Sequence, residues 1–172
     1  ILYLAWAGVV LWPLVLAFAL WRGLKRGRGP GAFGWTFVVL VTAMWGLGIR
    51  AFLWEPQTLE VRRVEVVSPT WSGPALRIGV IADTHMGAPH MSVARLNSIV
   101  QRMNSEHPDI VVLLGDYAGR HEPAHQRSKA EQSVVLSGLP PLGKLKAPLG
   151  VWAVLGNHDH YSGIPVEQFR DW

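Results

Sequence analysis

Three short polar clusters, each following directly on an apolar run, carry the side chains with the most chemistry. They are Asp83-Thr84-His85 after residues 77–82, Gly115-Asp116-Tyr117 after 109–114, and Gly156-Asn157-His158-Asp159 after 150–155. Together they offer carboxylate, imidazole and amide donors, a mix that suits Mn, Fe or Zn. The chain has no cysteine, so a thiolate site is excluded. In an Asp-x-His turn both side chains reach one ion from a single loop. Gly115 and Gly156 let the backbone turn sharply and leave room for ions. Each cluster alone is ordinary: an Asp after a strand commonly caps a turn, Gly-Asp is a frequent turn pair, and Gly-Asn-His-Asp can bond to itself. Three in succession, each at the end of a predicted strand, point to one site.

The elements that must position them alternate. Residues 77–82 read as a buried strand. Ser92 caps a helix whose Leu96, Ile99, Val100 and Met103 fall at helical spacing, ending near His107-Pro108. Residues 109–114 form a second buried strand, about 124–139 a weaker helix broken by Pro140-Pro141, and 150–155 a third strand. Strand, helix, strand, helix, strand predicts an α/β fold with right-handed crossovers and a largely parallel sheet. In such sheets the functional groups gather beyond the carboxyl ends of the strands. Ahead of this domain (residues 76–172), residues 55–75 are a linker, with Leu59, Val61, Val64 and Val66 alternating as a short edge strand that stops at Ser68-Pro69.

Residues 1–54 are a different material. They hold six of the nine Trp, no Asp or Glu, and a net charge of +5, which leaves −1 for the remainder of a chain whose total is +4. The pI of 9.9 therefore belongs to the N-terminal block and is not the footprint of nucleic-acid binding, a class set aside on that ground. Residues 1–21 carry no charge, enough at ~1.5 Å per residue to cross roughly 30 Å of hydrocarbon. A second span covers 33–54, with Arg50 near its end where the long stem can snorkel. Trp21 and Trp35 bracket the loop between them, and Trp54 closes the far end, as an aromatic belt would. A signal peptide has a shorter apolar core preceded by basic residues, and soluble helices carry a polar face. A transmembrane helical hairpin is therefore expected over 1–54. Arg22, Lys25, Arg26 and Arg28 mark its loop as cytoplasmic, placing the later domain extracytoplasmically in a multi-pass inner-membrane protein; Arg50, Arg62 and Arg63 weigh against that orientation.

Asp83-x-His85, Gly115-Asp116 and Gly156-Asn157-His158-Asp159 resemble the first three signature blocks of the calcineurin-like metallophosphoesterases, over roughly residues 76–162. The hydrophobic block ahead of them looks like the membrane-associated bacterial branch, which includes phosphodiesterases similar to UDP-2,3-diacylglucosamine pyrophosphatases. The resemblance implies the first half of a metallophosphoesterase α/β sandwich and a centre of two divalent ions (Mn, Fe or Zn). Asp83 and His85 would bind the first ion, Asp116 would bridge both, and Asn157 would bind the second. His158 would be the catalytic group at the leaving oxygen, oriented by Asp159 or Asp83. Two-metal displacement holds its ions roughly 3.5–4 Å apart. The family's later His and Gly-His-x-His block are absent from residues 1–172, so those ligands are expected beyond Trp172, and this stretch alone is expected to be inactive and poorly folded in its soluble part.

The function expected is therefore hydrolysis of phosphomono- or phosphodiesters, of a lipid-linked or envelope substrate, by an enzyme whose other partner is the lipid bilayer. The alternative is a non-catalytic binding or scaffold protein that keeps the fold. A channel component is poorly served by two spans without an acidic residue. His121 and His125, four apart around Glu122, suit a solvated helix start better than a second metal site; His90 and His160 lie near the site loops, and Tyr117 and Tyr161 are candidates for its walls.

Overall fold

The two N-terminal apolar stretches satisfy their backbones from within, as helices. The computed structural model describes residues 2–27, 31–88, 90–119 and 128–170. Helix α1 is Leu2–Lys25 and contains Pro13; α2 is Ala32–Ile49. Helix α2 runs on through a π turn at Arg50–Trp54 and a 3-10 turn at Glu55–Gln57. The run Ala32–Gln57 is the one described helix long and apolar enough to cross a membrane, and none of it is buried; the described part of α1 gives a shorter apolar run, Gly8–Gly23. The Thr36 and Thr42 hydroxyls donate back to the carbonyls of Ala32 and Val38, so neither needs a partner outside the helix.

The chain divides into two compact units, Ile1–Val61 and Arg62–Trp172. The second opens on an extended segment. The edge strand expected over 59–66 does not form, because these residues join no ladder, and Val64, Val66 and Val67 stand exposed. Ion pairing tethers the segment instead. Arg63 binds the Glu106 carboxylate at 2.7 and 2.8 Å, and these hydrogen bonds are the main cause holding that carboxyl below its ordinary value. Arg77 adds its N–H to Asp109 and its guanidinium to the Glu106 carbonyl.

Strands β1 (Ile78–Ile81), β2 (Ile110–Leu113) and β3 (Val151–Ala153) form a parallel sheet in the order β1-β2-β3. Helix α3 (Val93–Ser105) joins the first pair, its Ser92 cap accepting from the Arg95 N–H. Helix α4 (Lys129–Gly138) joins the second, with a capping box between Ser128 and Glu131. A 3-10 turn at Pro140–Lys144 leads back to the sheet.

Both crossovers step in the same direction along the sheet, and right-handed crossovers of that kind lay their helices on one face. Ile81, Val111 and Leu113 accordingly pack with Leu96 and Val100 of α3 and Val135 of α4. The apolar runs predicted strands buried on both sides. Among the described residues the opposite face is much less covered: Ile110 and Val112 are half-buried, Ile78, Val80 and Val154 are exposed, and Trp152 is 63% exposed. Leu96 has 0% exposure. Leu96→Ala should therefore lower unfolding free energy by about 2–5 kcal/mol, measured by urea unfolding of the purified protein.

Candidate metal centre at the strand ends

Backbone hydrogen bonds zip the first two loops together. Asp83 donates its N–H to the Gly115 carbonyl at 3.1 Å and His85 to that of Asp116 at 2.9 Å. Pairing then resumes in unchanged register with an isolated parallel bridge between Met86 and Ala118, so the two loops interrupt the ladder over the same length of chain. The third loop meets the second through glycine. A Cβ on Gly115 would strike the Gly156 backbone, and one on Gly156 would strike the Asp116 carboxylate. Gly156 then leads into a short helix, α5 (Asn157–Tyr161).

Asp83, His85 and Asp116 have φ of 54°, 44° and 56°. Left-handed backbone is unfavourable for residues with a Cβ and gathers at functional sites. Apart from His107, these are the only such non-glycine residues among those described. Thr84 between them is buried, and its hydroxyl has no hydrogen-bond partner.

The side chains converge. Donor atoms of His85, Asp116 and His158 lie within 4.8 Å of one another. The two imidazoles meet edge to face with centroids 4.8 Å apart, and the His158 N–H donates to Asp116 Oδ1 at 2.9 Å. His85 Nε2 stands 3.6 Å from Asp83 Oδ1. On its other side, His85 Nδ1 is 3.3 Å from the Ala118 carbonyl. In the tautomer whose Nδ1 donates there, Nε2 is the ligand atom, the arrangement that metal-binding histidines use. Donors roughly 2.0–2.2 Å from one ion lie within about 4.4 Å of each other, so this cluster needs only small rotations to close on a divalent metal, and its nitrogen and oxygen donors fit one. Asn157 sits exposed as the first residue of α5.

Asp159, expected beside His158 in the chemistry, is instead 1% exposed. Its carboxylate accepts the N–H of Asp116 at 2.8 Å, of Ala118 at 2.9 Å and of Gly156 at 2.9 Å. Nothing in the residue type separates this inward carboxylate from a solvated one; only its place three residues after Gly156, the capping position of α5, hinted at it. The Ala118 carbonyl that meets His85 is a backbone group and left no signal in the sequence.

Tyr117, a candidate wall residue, is a core residue, while Tyr161, His90 and His160 are exposed. His121, Glu122 and His125 lie outside the described residues. The Tyr117 hydroxyl donates to the Val154 carbonyl at 2.8 Å and lies 3.2 Å from that of Leu113, bolting β2 to the chain after β3. Burial, and after it the charge of Asp159, pushes its phenol up to about 12. An unfolded tyrosine ionises near 10, so the proton is bound more tightly in the folded protein. The resulting stability should be complete below pH 10 and lost as pH rises through about 12. Tyr117→Phe should remove that alkaline loss, and at neutral pH it should cost about 1–3 kcal/mol for the abandoned carbonyl. Melting temperature against pH checks both.

A family model described as calcineurin-like phosphoesterase matches residues 76–172. A "Transmembrane protein with metallophosphoesterase domain" from Danio rerio is 32% identical over 82% of this chain and 30% of its own length. UDP-2,3-diacylglucosamine pyrophosphatase LpxG of Chlamydia muridarum is 32% identical over 71% of the chain and 36% of its own. YkuE of Bacillus subtilis, named an uncharacterized metallophosphoesterase, is 27% identical over 79% and 45%. The chain thus spans between a third and a half of the length of the latter two and less of the first. No solved structure matches it significantly. With the family model covering the whole sheet and the three loops that converge beyond it, the chain belongs to the calcineurin-like phosphoesterase family.

Proposed function

We propose that the chain supplies the first ligand loops of a membrane-anchored, two-metal hydrolase of phosphoesters. The observation that carries the reading is the convergence of His85, Asp116 and His158 within 4.8 Å, from three loops at one edge of a parallel sheet. Asp83 and His85 would hold the first ion, Asp116 would contribute to both, and Asn157 would serve the second. When bound, such ions neutralise phosphoryl charge and activate water.

The remaining work falls to the chain itself. The Ala118 carbonyl orients His85. The His158 N–H holds one oxygen of Asp116, so ligand and catalytic loop move as one. The His158 ring then faces the leaving oxygen as proton donor or charge stabiliser. In the purified full-length protein, His158→Ala should lower kcat/KM for an aryl phosphodiester with Mn by about 10²–10⁴-fold. Asp116→Ala should abolish turnover together with metal retention. Unchanged turnover in either variant sinks the site.

Helix α2 and its continuation to Gln57 are the strongest support for anchoring, together with the relatives named as transmembrane proteins. Helix α1 provides the second span, and the basic loop between the helices stays in the cytoplasm. The anchor confines the enzyme to the surface where a lipid-linked phosphoester resides, the class that the name of LpxG suggests. Because residues 1–172 contain no cysteine, an exposed probe can be placed on α3 as Ser98→Cys. A membrane-impermeant maleimide should label it in intact spheroplasts; labelling only after lysis reverses the orientation.

A further inference from the structure

The strongest feature left over by the proposed chemistry is the Asp159 carboxylate, buried yet aimed at no ligand position. A residue three places after Gly156 caps α5 with a single bond to the Gly156 N–H, and Asp159 makes that bond. It also makes two that capping does not require, and both cross to the second loop. One reaches the N–H of Asp116, itself a member of the donor cluster. The other reaches the N–H of Ala118, the residue whose carbonyl meets His85 Nδ1. The third bond, to Gly156, fixes the chain just ahead of Asn157 and His158.

One carboxylate thus touches the support of every member of the cluster without belonging to it. It is pinned from behind as well: Ser162, with 0% exposure, donates its hydroxyl to the Asp159 carbonyl at 2.6 Å and accepts the Ile164 N–H at 3.0 Å. Burying a carboxylate is costly unless its oxygens are bonded, and bonds from N–H to an ionised oxygen are among the stronger ones.

We propose that Asp159 is the positioning residue of the metal centre: it sets the spacing of the His85, Asp116 and His158 donors by holding the second and third loops against each other. This rests on the metal-centre reading above. The charge and both oxygens matter, because an asparagine of the same shape has one accepting oxygen and one NH₂. Whichever way it sits, a donor faces a donor at Ala118 or at the pair Asp116 and Gly156, and the loops part.

The test titrates Co²⁺ into the purified full-length protein, following the visible absorption of the bound ion, alongside melting temperature. Asp159→Asn should weaken Co²⁺ binding about 10–100-fold and shift the absorption bands, as loss of a group supporting metal ligands does. A lower melting temperature with unchanged affinity and spectrum would show Asp159 to be merely structural and overturn the proposal. Should Asp159→Asn fail to fold, Ser162→Ala, which loosens residue 159 without touching its carboxylate, decides: weaker binding with shifted bands supports the proposal, and unaltered binding overturns it. Asp116→Ala separates the two levels. If it binds Co²⁺ as the wild type does, the metal-centre reading itself fails and takes this one with it; if it loses Co²⁺ while Asp159→Asn keeps it, only the positioning role falls.

Discussion

The register of three parallel strands is the constraint on which the site depends. Ile81 lies opposite Leu113, and Leu113 opposite Ala153, so the chain leaves the sheet at the same level three times in succession. Strands at the usual sheet spacing of about 4.8 Å deliver neighbouring loops within ligand reach of one another. Slipping one strand by two residues would carry its loop roughly 6–7 Å along the axis, too far for His85, Asp116 and His158 to converge as they do. The burial of Ile81, Val111 and Leu113 against α3 and α4 is therefore also what holds the donors together.

That level exit has a local cost, and the backbone shows where it falls. Three left-handed residues carry donor side chains, and each such residue costs of order 1–3 kcal/mol unless its surroundings enforce it. Enforcement comes from the zipper between Asp83, His85 and the second loop, from the glycine contact between loops two and three, and from the buried bonds of Asp159. The Tyr117 hydroxyl adds a bolt beneath them.

The features visible in the sequence were those written in residue type and period. The three apolar runs announced the strands, Ser92 announced α3, and the polar clusters after each run announced the site, because clusters ordinary one by one recur at three successive strand ends. What stayed hidden depends on geometry that types do not encode. Residues 59–66 alternate like a strand, yet alternation without a ladder partner leaves them extended and unpaired. A continuous apolar run reads alike whether one face or two are covered, so the less covered side carrying Trp152 was not foreseen. Asp159 and His158 are chain neighbours of similar polarity, and only the fold turns one inward to the backbone and the other toward Asp116.

The contact between Gly115 and Gly156 bears on how such a site can be diversified. Two loops that touch backbone to backbone share their positions, so neither can be lengthened, widened or given a side chain there without moving the other. The inner ring of the centre is thus closed to piecemeal variation. Freedom to change what the site accepts lies farther out, at exposed residues such as Tyr161 and His160 on the outer surface of α5, where a new side chain meets solvent and leaves the ligand loops in place.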